Sequence, residues 1–555
     1  MRSFLHNNAI LIGLLFIAAL LRIWQLGSVP PSPSLDEVSI GYNAFSLLKT
    51  GRDEYGYFLP IILRAYDDWR PALYIYLVVP FIAVFGLNVF AVRLLSVVLS
   101  LLTIYLAYRL VKILFPESIL VRGFVIHTEL LAYSVVFLLA LSPWHIYLSR
   151  LGHEVNLGLF LTVASVYAFL RSVIAREKWS FTIAAILFGL SFYSYQSQKV
   201  IIPILLITVL ILYKKEVVRF GKTSLVAGSV FFFIALPAVI LTFSPEGMMR
   251  FRGTSVFSTA GPSYQSANDL LKAKNDHNLL GELYFNRRFV PVRLVTSQYV
   301  SHFNPRWLFA GSERENHKVP FLGLFYIFEA PLLLLGILLF VFSNIERRLK
   351  VLLLIWFFTG PLPGAITTDA PHAMRSFTLL PPAQIFEGLG LVSAYSLLKI
   401  KRLHLAGLAL FFVFVMYSVG FFLSGYFYVF PKTQADSFQL SLFNSLGYLV
   451  QNKDRYEEAV VSSRNNLYQS YMFYLFVSQY DPESYQSQGG TVSGGFAKEH
   501  KIGSISFRPI QWNTEKKQGK IVYLGNKEDF DEAAAVIRRF TYPDGKEGVV
   551  IVAYD

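Results

Sequence analysis

The sequence predicts a polytopic α-helical membrane protein of about 11 spans, followed by a small C-terminal α/β soluble domain. Three observations carry that reading. The 555 residues are 54% hydrophobic and only 15% charged, with a mean hydropathy of +0.47, whereas a soluble protein carries about 25% charged residues. Apolar runs recur from residue 8 to about 424, each near the roughly 20 residues that a bilayer core demands. The polarity then changes, so 1–427 reads as a membrane domain and 428–555 as an extracytoplasmic one.

The chain has no cysteine, which excludes disulfides and thiolate metal sites. Its first run, Ala9–Leu26, lacks a small-residue cleavage site and reads as a retained anchor. The net charge of +14 does not point to nucleic acid, because Lys and Arg collect in the cytoplasmic loops of membrane proteins.

Those cations fix an expected topology. Clusters at Arg109/Lys112/Arg122, Arg171/Arg176/Lys178, Lys214/Lys215/Arg219/Lys222, Arg347/Arg348/Lys350 and Lys399/Lys401/Arg402 are each separated from the next by two apolar runs. All can therefore face the cytoplasm, with the N-terminus inside and the C-terminal domain outside. The segment Ala72–Gly86 would break the alternation as a span, so it is expected to lie in, or dip into, the outer interface. The outer loops are then 28–89, 149–155, 194–199, 244–319 and 367–375, of which 28–89 and 244–319 are large.

In the C-terminal module, strands are expected at Ala459–Ser463, Lys520–Leu524 and Gly548–Ala553, and helices at Asn465–Phe476 and Glu528–Phe540. It carries no Gly-rich phosphate loop and no metal-type His/Cys spacing, and the chain shows no internal repeat.

The chemistry is sought in the outer loops. Ser34-Leu35-Asp36-Glu37 fits a capping box, S-x-x-E, opening a helix that runs to about Lys49 and stops at Gly51. Equally, one of the two acids is a candidate general base for an acceptor hydroxyl or amine. The readings are compatible if Glu37 caps while Asp36 faces a cavity. Glu154 either pairs with Arg150 one helical turn away or supplies a second carboxylate to the same cavity. Arg70, Lys199, Arg250, Arg252, His372 and Arg375 are cations on the side where cations are scarce. Each can pair with a loop acid such as Asp67, Asp68 or Asp369, but as a set they suit a phosphate. Arg22 joins that set or snorkels. Glu329, within an apolar run, is either functional or a protonated group inside the bundle.

This order of features resembles the C-type glycosyltransferase superfamily, in particular the protein O-mannosyltransferases of glycosyltransferase family 39 and the bacterial aminoarabinose-type lipid-sugar transferases. The stretches that carry the resemblance are Leu35-Asp36-Glu37 with Tyr42-Asn43-Ala44, Gly51-Arg52-Asp53-Glu54-Tyr55-Gly56, Trp69-Arg70-Pro71-Ala72-Leu73-Tyr74, Ala91-Val92-Arg93-Leu94, Ser142-Pro143-Trp144, Ser149-Arg150 with Glu154, and Pro371-His372-Ala373-Met374-Arg375-Ser376. It covers about residues 8–400 and leaves the C-terminal domain unassigned. Two positions depart from it: Ala72 stands where many relatives have a second proline, and the second-loop acid is Glu rather than Asp.

The resemblance implies a polyprenyl-phosphate sugar donor, transfer at the outer membrane face with inversion at the anomeric carbon, a protein, lipid or glycan acceptor, and no cofactor or essential metal. It implies Asp36 as the base, Glu154 as the second-loop acid, and Arg70, Lys199, His372 and Arg375 on the donor phosphate. An oligosaccharyltransferase with a pyrophosphate donor would share the fold, but the chain lacks the Trp-Trp-Asp that marks those enzymes. A lipid-linked sugar flippase would be expected to show inverted repeats, and none is found.

Overall fold

The computed structural model describes residues 2–66, 68–116, 118–121, 124–258, 261–311, 317–400, 404–491 and 499–554; the side chains of 2–7, 121, 124, 250, 261–263, 399, 400 and 404 lie outside that description. The chain is mostly helical and forms two compact units, both discontinuous in sequence. Residues 1–18, 100–148 and 155–420 make the first, and 19–99, 149–154 and 421–555 the second.

Four described helices are long and apolar enough to cross a membrane: Val89–Leu114, Val155–Ile174, Lys222–Thr242 and Leu405–Thr433. A fifth is the pair Thr128–Leu141 and Pro143–Ser149, bent by 56°, if taken as one span. Three further runs expected to span form helices of only 14 or 15 residues, Lys178–Ser191, Gln198–Leu212 and Glu329–Phe342. Before the last of these, the apolar stretch from about residue 320 is taken up by turns and bends.

In the first unit, helices Glu329–Phe342 and Pro382–Ile400 pack through reciprocal glycines. A Cβ on Gly336 would overlap the Phe386 carbonyl, and one on Gly390 the Leu332 carbonyl. Close backbone approach at small residues is how helices gain contact where burial of apolar surface offers little. Glu329 is fully buried in this unit, as is Glu387 of the second helix; Glu329 Oε2 accepts from Tyr326 N at 2.6 Å.

The helices and strands that position the site follow α1 (Arg2–Ile23) in chain order. In the second unit α2 runs Leu35–Thr50. It begins as expected: Ser34 Oγ accepts from Glu37 N, Glu37 Oε2 accepts from Ser34 N at 2.8 Å, and Gly51 at φ +68° ends it. The strands β1 (Ile62–Ala65) and β2 (Asp68–Pro71) form a hairpin with Leu63 opposite Arg70. α3 (Leu73–Phe85) is 13 residues long, about 20 Å at 1.5 Å per residue. It buries Tyr74, Ile75, Val78 and Ile82. α4 (Val89–Leu114) follows, its residues to Leu99 belonging to this unit.

The C-terminal sheet has six strands in the order 500–502, 505–507, 458–461, 521–525, 547–554 and 536–541. The strand Glu458–Val461 pairs in parallel on both sides, and Val460, Trp512, Tyr523, Val550 and Val552 form the core. The strands expected at 459–463, 520–524 and 548–553 are present, and the first expected helix becomes a shorter one, Ser470–Ser478. The helix expected over Glu528–Phe540 is not. Only Lys527–Asp529 turn, and Val536–Thr541 is a strand paired with Glu547–Tyr554. The alanines favour a helix, but Val536-Ile537 and Phe540-Thr541 before the Pro543-Asp544-Gly545 turn suit a hairpin, and tertiary pairing wins. Helix Ser470–Ser478 packs on α2 at Gly41, where a Cβ would stand 2.6 Å from Phe476 and 2.8 Å from Val92.

Gly336→Val is expected to lower the melting temperature of the detergent-solubilised protein by several degrees, because one helix must move away from the other. Gly228→Val, where a side chain meets nothing within 4 Å, should leave it nearly unchanged.

Candidate active site

Asp36 and Glu37 follow one another in the first turn of α2 and meet opposite fates, since consecutive helical side chains diverge by about 100°. Glu37 is buried, 1% exposed, and its carboxylate meets Arg93 of α4, itself 0% exposed, at 2.7 Å. Gly152 N adds a hydrogen bond at 2.9 Å. Burial alone would raise the Glu37 pKa, but the Arg93 charge and hydrogen bonds, then the Gly152 and Ser34 amides, hold it below the ordinary carboxylate value.

The Asp36 side chain is 47% exposed. Its Oδ1 accepts from Arg70 Nη2 at 2.7 Å, so the β1–β2 hairpin delivers a buried guanidinium to a half-exposed carboxylate. His153 lies between the two acids: its Nε2 is 3.9 Å from Asp36 Oδ2 and its Nδ1 3.6 Å from Glu154 Oε2. Burial opposes the Arg70 charge, yet Asp36 and then Glu154 hold that guanidinium above its ordinary pKa. The second unit thus brings Asp36, Glu154 and Arg70 together, with Glu37 immediately behind. Glu154 does not pair with Arg150, which instead donates to the carbonyls of Leu21, Arg22 and Val29 and to the Tyr426 hydroxyl.

Two buried atoms here lack a hydrogen-bond partner among the described residues: Arg70 Nη1, a donor, and Glu154 Oε2, an acceptor. Neither is a vacancy of the kind a packed core tolerates, since a buried polar atom left unmade costs about 1–3 kcal/mol.

The first unit contains a separate cavity of about 330 Å³. Lys199 and Arg375 line it, with Phe243, Met248, Phe251 and Ile366 among its apolar walls. Arg375 Nη1 donates to Thr367 Oγ1 at 2.6 Å. His372 is not among the lining residues: its amide donates to His302 Nε2 at 3.1 Å and its ring stacks on His317 at 5.0 Å. Arg252 is exposed and also outside the lining, although its helix, Pro245–Thr254, supplies Met248 and Phe251. The Arg250 side chain and Asp67 lie outside the described residues.

Residues 70–241 match the family model of dolichyl-phosphate-mannose-protein mannosyltransferases. Among solved structures, ArnT from Cupriavidus metallidurans bound to undecaprenyl phosphate superposes with a TM-score of 0.55 at 11% identity, covering 98% of each chain. The same protein in its apo state gives 0.51 at 12% identity, covering 100% of this chain and 98% of that one. The chain has the C-type glycosyltransferase fold. A weaker likeness, with a TM-score of 0.45 at 15% identity, is to the Archaeoglobus fulgidus oligosaccharyltransferase complexed with zinc and sulfate; it covers 84% of this chain, which spans 61% of that protein's length. No curated protein matches by sequence.

Two buried charged residues, Arg93 and Glu54, stand in stretches that carry the resemblance but had no role of their own in the sequence. Arg93 left a signal, a lone cation inside the apolar run of α4. Glu54 left less. It is fully buried, taking hydrogen bonds from Asn43 Nδ2 at 3.2 Å and Thr491 Oγ1 at 2.9 Å, while Thr491 also meets Tyr485. Burial, against those hydrogen bonds, raises its pKa to about 7.

The sign of the consequence follows from that shift. Between the ordinary value of 4.5 and about 7 the folded chain keeps a proton that the unfolded chain has lost, so stability falls as pH rises across that window. The loss at full ionisation is roughly 3 kcal/mol. Thermal-inactivation midpoints from pH 5 to 8 should therefore fall less steeply for Glu54→Gln than for the parent; parallel curves would contradict the assignment.

Proposed function

We propose that the chain is an inverting membrane glycosyltransferase that moves a sugar from a polyprenyl-phosphate donor to a hydroxyl or amine acceptor on the outer face of the membrane, in the orientation that the charge alternation predicts. The observation that carries the reading is the half-exposed Asp36 carboxylate, clamped at one oxygen by Arg70 and flanked by His153 and Glu154, in a chain of this fold. ArnT, bound to undecaprenyl phosphate, lends the donor class.

Asp36 takes the acceptor proton as the acceptor heteroatom attacks the anomeric carbon. That bond forms while the carbon–oxygen bond to phosphate breaks on the opposite face, which inverts the centre. The polyprenyl phosphate leaves with an added negative charge, and a cation placed where that charge develops lowers the barrier. Arg70, with Nη1 unspent, is suited to it; in the first unit, Lys199 and Arg375 give their cavity the charge to hold a lipid phosphate. The apolar walls of that cavity suit a polyprenyl chain. Glu154 orients the acceptor through Oε2, which has no hydrogen-bond partner among the described residues. Glu37 is a positioning residue, since its oxygens are spent on Arg93 and backbone amides.

Asp36→Asn should cut transfer from a labelled polyprenyl-phosphate sugar by about 10²-fold or more while the protein still folds; transfer at the parental rate would remove Asp36 as the base. Lys199→Gln and Arg375→Gln should weaken donor binding with little change at saturating donor. Unchanged donor affinity in both would remove the cavity from the donor site.

A further inference from the structure

The first unit contains a second cavity, apart from the one that Lys199 and Arg375 line. It measures about 670 Å³ and lies among α1, α4 and the helix Val155–Ile174. Three cations line it, Arg109, Lys112 and Arg171, with one acid, Glu177, and three tyrosines, Tyr105, Tyr108 and Tyr167. On the α1 side the lining is apolar, from Leu11, Ile12 and Leu15.

The charges do not cancel. Lys112 is matched by Glu129 at 2.5 Å and Arg171 by Glu177 at 2.8 Å. Arg109 has no carboxylate partner among the described residues. It donates instead to the Tyr105 hydroxyl at 2.9 Å, and its guanidinium lies 5.9 Å and 5.8 Å from the centroids of Tyr105 and Tyr167. Two aromatic rings and a hydroxyl hold the guanidinium in place, which removes much of the rotamer entropy that a surface arginine loses on binding. Topogenic charge alone requires none of this, because loop cations orient a membrane protein without a cavity.

We propose that this cavity binds the phosphodiester headgroup of an anionic phospholipid, with Arg109 as the principal contact. A fixed guanidinium can fork onto two phosphate oxygens, and the Tyr105 hydroxyl, which accepts from Arg109, keeps its own proton to donate. The apolar lining from α1 suits the start of an acyl chain, a feature that a soluble phosphate would not need. The charge alternation of the sequence assigns both cation clusters to the cytoplasmic face, so the lipid would come from the inner leaflet. The site shares no lining residue with the cavity of Lys199 and Arg375.

The test uses the purified full chain, delipidated and reconstituted in nanodiscs of phosphatidylcholine with or without phosphatidylglycerol. Native mass spectrometry reads the retained lipid, and the melting temperature reads its effect. The parent should retain phosphatidylglycerol over phosphatidylcholine and melt higher with it. In Arg109→Gln the preference should fall about fivefold, the worth of one interfacial cation, with the melting temperature in pure phosphatidylcholine unchanged. Arg109→Lys, which keeps the charge but not the planar fork, should retain part of the preference. Inorganic phosphate at millimolar concentration should not raise the melting temperature of the lipid-free protein. Equal retention of the two lipids by the parent, or an undiminished preference in Arg109→Gln, would overturn the site; stabilisation by inorganic phosphate with none added by phosphatidylglycerol would overturn the lipid.

Discussion

The buried ion pair of Glu37 with Arg93 is the contact on which the second unit's site geometry depends. Two charges taken out of water cost several kcal/mol each, and their attraction offsets this only if every remaining donor and acceptor is met. Here they are. The five N–H groups of Arg93 reach Glu37 Oε1 and Oε2 and the carbonyls of Leu26, Pro30 and Ser32. The two oxygens of Glu37 also take the amides of Ser34 and Gly152. One pair thus joins the start of α2, the body of α4, the segment 26–32 and the loop 149–154. Removing either partner would leave the other charge buried and alone, which is worse than never having had the pair.

The same contact sets the positions of the residues that face outward. Asp36 precedes Glu37 and inherits its place from the anchored helical turn. His153 and Glu154 follow Gly152, whose amide is tied to Glu37. Gly152 has to be glycine for a local reason: a Cβ would stand 2.6 Å from Val92 Cγ1 and 3.0 Å from Val92 O. The loop therefore approaches α4 closely enough for its amide to reach the carboxylate. Arg70 arrives by a different route, in the hairpin, whose register places it opposite Leu63.

What the sequence made legible follows from how local each interaction is. The cap of α2 and its glycine stop involve residues within a few positions of one another, and both were readable as a pattern. The pairing of Asp36 with Arg70 and of Glu37 with Arg93 joins residues 34 and 56 positions apart, and such partners leave no periodic trace. The same limit explains Arg150, whose nearest sequence acid is Glu154 but whose actual partners are backbone carbonyls and a tyrosine far along the chain. It explains Val536–Thr541 as well, where local helix preference lost to a strand partner. Hydrophobicity located apolar segments reliably but not their lengths as helices, because turns before Glu329 consume part of a run that composition alone reads as continuous.

A contrast between two neighbouring networks sharpens the functional reading. Around Glu37 and Arg93 the hydrogen-bonding capacity is spent, and the group can do nothing further without breaking the fold. Around Asp36 it is not: Arg70 keeps a buried donor and Glu154 a buried acceptor without partners among the described residues, while Asp36 itself is half exposed. Buried polar atoms are normally satisfied, and the exceptions call for an explanation. A ligand bearing both an acidic oxygen and a hydroxyl would satisfy the donor and the acceptor together. A sugar phosphate and its acceptor present that combination. The rigid pair and the unsatisfied cluster are therefore two parts of one arrangement, in which the saturated charges hold the unsaturated ones in place.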